Sequence, residues 1–201
     1  MGRAVIALAL AVFLLAPPVL VHCWDRAEAQ SVRQKSKTDK TSKPPLEIHY
    51  GTDGLPEQVR ELREALLEAV RSGKIEDLRY AYDLNDIKPD LGGTETKDPI
   101  AHWKKISGDG EGREVLAALS LILDTGHVVL PLGADLENNR LYIWPYFSEV
   151  PLDKLTPAQE VELLRLVPPA VAKSMKSAGK YTHWRLTIGA DGAWHSFRKS
   201  D

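Results

Sequence analysis

A single cysteine, Cys23, stands in the 201 residues. It falls ahead of the position where processing is expected, so the mature chain has no thiol. That excludes disulfides, thiolate zinc sites and cysteine nucleophiles together, a cysteine-based wall transpeptidase among them, and an oxidising compartment places no demand on such a chain. Other absences narrow the chemistry further. There is no His-Glu-x-x-His, no glycine loop ending in Lys-Ser/Thr and no Gly-x-Ser-x-Gly elbow. Long apolar stretches are also missing, with one exception at the N-terminus.

That exception is the run from Ala4 to Val21, preceded by Arg3 and broken by Pro17 and Pro18. Ala27-Glu28-Ala29 follows, with small residues at the two positions a signal peptidase reads. The pattern predicts a signal peptide over residues 1–29, cut between Ala29 and Gln30. A retained anchor is disfavoured, because two prolines interrupt a run of barely spanning length. Leu20-Val21-His22-Cys23 resembles a lipidation box, with histidine where a small residue is the rule.

Residues 30–45 are polar and lysine-rich. Arg33, Lys35, Lys37, Lys40 and Lys43 face only Asp39, a net charge of +4, and such a stretch cannot bury enough surface to offset its entropy. It reads as a disordered tether suited to anionic headgroups, or as a plain spacer. The remainder, residues 46–201, is acidic at a net −6. Nucleic-acid binding is excluded on that ground, since phosphate neutralisation needs a basic face.

Within this single domain the patterning predicts helices first. Val59, Leu62, Leu66, Ala69 and Val70 form one stripe over Pro56–Ser72, closed by Gly73. Ile75, Leu78 and Tyr82 mark a second helix, and Asp83–Lys97 reads as loop. Asp98-Pro99 caps a short helix carrying Ile100, Trp103 and Ile106. Val115, Leu116, Leu119, Ile122 and Leu123 make the next helix the most buried. His127–Leu130 and Arg140–Phe147 read as strands joined through Asp135–Asn139, the second pushed toward a sheet edge by Pro145. Thr156-Pro157-Ala158-Gln159 is a capping box for a helix carrying Val161, Leu164 and Val167. Tyr181–Ile188 and Ala193–Arg198 flank an Asp-Gly turn. The order argues an α+β fold with a small antiparallel sheet of about four strands, two hairpins, covered on one face by helices.

Three stretches carry a resemblance: Asp98–Glu114 (DPIAHWKKISGDGEGRE), Leu141–Phe147 (LYIWPYF) and Gly189–Phe197 (GADGAWHSF). Together they resemble a group of uncharacterised secreted proteins of alphaproteobacteria. The resemblance covers most of the domain, implies an exported, periplasmic protein, and brings no activity or site residues with it.

The chemistry-bearing residues are few. His183 and His195 lie on the two strands of the last hairpin and are the candidates for an acid–base pair, although neither simple register sets them opposite each other. His49, His102 and His127 lack metal-ligand spacing, so no metal and no cofactor is expected. Asp109, Glu111 and Glu114 gather among glycines like a calcium loop without its ligand order; helix capping explains them as well. The aromatics Tyr142, Trp144, Tyr146, Trp184 and Trp194 all come from the strands. On an open sheet face they would bind a sugar or peptide by stacking; otherwise they are the sheet's half of the core. Exported protein, aromatic sheet and absent signatures predict a non-catalytic binding module of the envelope. Its partner would be an envelope protein or a glycan. The alternative is a small enzyme with a histidine base in a pocket between sheet and helices.

Overall fold

The 16-residue helix α1 (Glu57–Ser72) forms where the apolar stripe predicted it, burying Val59, Leu62, Leu66 and Ala69. It stops at Gly73, whose φ of 67° is the left-handed conformation that glycine adopts without penalty. The computed structural model describes residues 46–93, 97–133 and 139–200, within the unit Pro45–Asp201. The expected signal peptide, the Ala29–Gln30 cleavage point and the basic tether lie outside the described residues, as does most of Asp135–Asn139.

After a single 3-10 turn (Ile75–Asp77) comes α2 (Leu78–Asp83), burying Leu78, Ala81 and Tyr82. Asp98 caps α3 (Pro99–Ile106) by accepting from the Ile100 N–H, with Pro99 in the first turn. Helix α4 (Arg113–Leu123) buries Val115, Leu116, Leu119, Ile122 and Leu123. It packs between α1 on one side and the sheet on the other. Its start is built by Asp109, whose carboxylate accepts from the backbone N–H groups of Glu111, Gly112 and Arg113 at 3.1–3.2 Å. The Ser107 hydroxyl donates to the same carboxylate. Those oxygens are therefore engaged in capping, and no cluster of three metal-ligating side chains occurs among the described residues.

The sheet is a meander, β1 (Val128–Pro131), β2 (Arg140–Trp144), β3 (Trp184–Gly189) and β4 (Trp194–Lys199), antiparallel throughout and in sequence order. The chain is thus α+β. The reading of β2 as an edge strand is corrected: it is central, paired with both β1 and β3. Pro145 lies just beyond the last pair, Trp144↔Leu186, so its missing N–H costs the ladder nothing.

Helices cover the face carrying Tyr142, Trp144, Trp184, Leu186, Ile188, Trp194 and Phe197, all buried. The expectation of cover on one face alone is too narrow, because Val128, Ile143 and Thr187 at the centre of the opposite face are buried as well. The two edges are closed by single bridges, His49 beside His127 and Asp90 beside Ser196.

Helices α5 (Pro157–Leu166) and α6 (Pro169–Ala178) finish the domain, the first opened by the complete Thr156–Gln159 capping box. Here the expected inward face, Val161, Leu164 and Val167, holds only at Val167, which is buried. Leu163 and Leu166 are buried, whereas Val161 and Leu164 are exposed, because α5 meets α4 and α6 on its other side.

Candidate functional site

The five aromatics read as strand residues are where a core needs them, although Tyr146 lies beyond β2 in a 3-10 turn (Tyr146–Ser148). Tyr142, Trp144, Tyr146, Trp184 and Trp194 are all between 0% and 4% exposed. The open stacking face considered for them is not formed: Trp194 stacks on Trp103 at 5.9 Å, Trp184 on Phe197 at 4.7 Å, and Trp144 lies 4.6 Å from the His127 ring. A ring enclosed on both sides has no face left to offer a ligand.

The two histidines proposed as a pair are also kept apart. His195 is the extra residue of a bulge, since Thr187 pairs with Ser196 and Ile188 with Trp194. His183 sits before β3, its carbonyl accepting from Ser200 N–H at the far end of the hairpin. The separation along the strands is about 15 Å at the rise of a strand. Burial and the Lys199 charge hold the His183 imidazole below its usual range, but among the described residues no second titratable group is joined to it by a hydrogen bond or ion pair.

Two constellations that the sequence did not signal are present. In the first, Glu162 on α5 gathers three donors. Its carboxylate accepts from Tyr146 OH at 2.9 Å, Tyr50 OH at 3.1 Å and Gly126 N–H at 3.1 Å. Burial, and then the neighbouring Glu162, push both phenols above their ordinary range. With every oxygen engaged and both phenols held protonated, this is a clamp joining α5, the start of β1 and the N-terminal segment. Glu162→Ala is expected to destabilise the domain by about 2–3 kcal/mol, because it strands the buried Tyr146 hydroxyl and the Gly126 N–H. Urea unfolding of this variant beside Glu162→Gln checks it; equal midpoints for Glu162→Ala and wild type would dismiss the clamp.

The second is an open groove of about 800 Å³ between α1, α2 with its following loop, and the tip of the β3–β4 hairpin. The tip is seated on α1 by Gly192. Its φ is 81°, and a Cβ there would come within 2.8 Å of the Gln58 Cβ and 3.0 Å of the Gln58 carbonyl. Asn85 ties the third wall in, its side-chain oxygen accepting from Trp194 N–H at 2.7 Å and its amide donating to Ala81 O at 2.7 Å.

The groove's distinctive wall is apolar and uncovered. Tyr80 is 69% exposed, Leu84 64% and Ile87 87%. Sequence reasoning passed over these residues because Ile75, Leu78 and Tyr82 already explained the helix. The available signal was Leu84 and Ile87, two large apolar residues in a segment otherwise polar enough to read as loop, with Tyr80 one helical turn before Leu84. Around it stand Glu61, Asp86 and Asp191, none of which forms an ion pair among the described residues. Lys88, the lining cation, is directed elsewhere: its ammonium donates to the Tyr82, Asp83 and Asn85 carbonyls and lies over the Tyr82 ring at 5.4 Å. His195 reaches this groove alone. Its Nε2 and the Asp191 carboxylate both hang over Gly189, where a Cβ would meet them at 2.8 Å and 2.5 Å.

Preformed concavity, exposed apolar wall and unpaired charge make this groove the part of the domain best suited to bind something. No protein-family model matches the chain, and no curated protein or solved structure shows significant similarity to it.

Proposed function

We propose that this chain is an exported, non-catalytic binding module of the bacterial envelope, and that the groove between α1, α2 and the β3–β4 hairpin is its binding surface. The N-terminal pattern and the resemblance to secreted alphaproteobacterial proteins support the export reading. The observation that carries the binding reading is the wall of Tyr80, Leu84 and Ile87. Three large apolar side chains held in water beside a concavity are costly to keep exposed, and they mark a surface that is covered in use. The rival reading, an enzyme with a histidine base, has His195 as the one histidine in the groove, beside Asp191, and among the described residues no group orients its ring by a hydrogen bond.

The test uses the protein in its own envelope, with a photoreactive residue at position 87 and, as a control, at exposed Leu132. Crosslinking from position 87 alone is expected, and Leu84→Asp should lower it at least tenfold. Because Leu84 is exposed, the same substitution should move the unfolding free energy by less than about 0.5 kcal/mol. Equal crosslinking from positions 87 and 132, or crosslinking indifferent to Leu84→Asp, would refute the groove as the binding surface.

A further inference from the structure

The occupant's chemistry follows from what the groove holds, given the reading that the groove binds at all. We infer that its partner is a protein segment carrying apolar side chains flanked by lysine or arginine. Leu84 and Ile87 present aliphatic surface, which gains by covering with apolar side chains and offers a sugar ring no stacking plane. Tyr80 is the one exposed aromatic of the wall, too little for a glycan platform. The charges then choose among apolar ligands. Glu61, Asp86 and Asp191 are exposed and free of ion pairs among the described residues, while the ammonium of Lys88 is committed to the carbonyls that end α2.

An anionic lipid surface would be repelled by these carboxylates, and so would an acidic peptide. A cationic, apolar segment is attracted by the same charges and loses little on desolvation at an open rim. The protein's own basic segment, residues 31–45, meets only half of the requirement: it has the lysines, but Val32 is its sole large apolar residue. A second protein supplies both.

The test displays a random peptide library against the immobilised protein as purified from the envelope. Selected peptides should carry Leu, Ile or Phe with at least two Lys or Arg. Their enrichment should fall at least tenfold on Glu61→Lys/Asp86→Lys, and binding should weaken as salt rises. If selected peptides are uncharged or acidic yet still require Leu84 and Ile87, the cationic partner is overturned while the groove stands as a binding surface. If nothing is enriched, or enrichment is indifferent to Leu84→Asp/Ile87→Asp, both inferences fall.

Discussion

Trp144→Ala is expected to destabilise the domain by about 3–5 kcal/mol, the range for deleting a fully buried indole. The side chain is 1% exposed, it stands on a central strand opposite Leu186, and its ring packs against His127. Removing it leaves a cavity in the layer between the sheet and α4, and neighbours on a paired strand cannot collapse into that space without breaking register. In a domain whose whole stability is of order 5–15 kcal/mol, such a loss removes a large share of it. Urea unfolding measures it directly. The contrast with Leu84→Asp is the informative part: one substitution should weaken the whole fold, the other should weaken binding and spare the fold. A Trp144→Ala variant within about 0.5 kcal/mol of wild type would show that the strand aromatics are not the sheet's half of the core.

The same contrast explains what was legible in the sequence. Local chemistry read well. The Thr156–Gln159 box, the Asp98-Pro99 start and the glycine end at Gly73 each depend on backbone groups within four residues, and all are formed. Three failures have one cause in common. The segment Pro157–Val167 has apolar residues on two faces, so the choice of Leu163 and Leu166 over Val161 and Leu164 was made by packing against α4, which is distant in sequence, and against α6, which follows it. The β3–β4 hairpin was read in simple registers, and the structure adopts a bulge at His195, coupled to the bond from Trp194 N–H to Asn85. The edge assignment of β2 rested on Pro145, when what mattered was whether that proline fell inside the ladder.

The candidate site was the least legible part, for a related reason. Aromatic side chains are conspicuous in a sequence, yet their size makes them core first. Tyr80, Leu84 and Ile87 are ordinary residues. They become conspicuous only when the fold leaves them uncovered beside Glu61 and Asp191, brought in by α1 and the hairpin tip.

The domain is expected to lose stability as pH falls from about 6.5 toward 4, and His127 is expected to dominate that loss. Its imidazole is 1% exposed, and its Nδ1 is buried without a hydrogen-bond partner. Three aromatic neighbours surround it: Trp144 at 4.6 Å, Tyr142 at 6.1 Å and the His49 ring at 5.5 Å. Burial first, then the like charges of His49 on the N-terminal segment and Arg63 on α1, lower its pKa from 6.5 to about 4. The unfolded chain takes up a proton below 6.5 and the folded chain resists until about 4, so falling pH favours unfolding throughout that window. Between pH 7 and pH 5 the loss comes to at most about 2 kcal/mol. His183, also lowered by burial, adds in the same direction. The carboxylates held low by partners, Asp98 and Glu76 among them, titrate in the unfolded chain only below about 4.5, so the upper part of the window belongs to the histidines. Urea unfolding at pH 7, 6 and 5 checks this against His127→Phe, which keeps an aromatic ring in the nest and removes the titration. Wild type should weaken steadily while the variant stays nearly level above pH 5. Parallel slopes would mean that the imidazole takes its proton in the folded state as readily as in water, and that the nest around it opens to solvent.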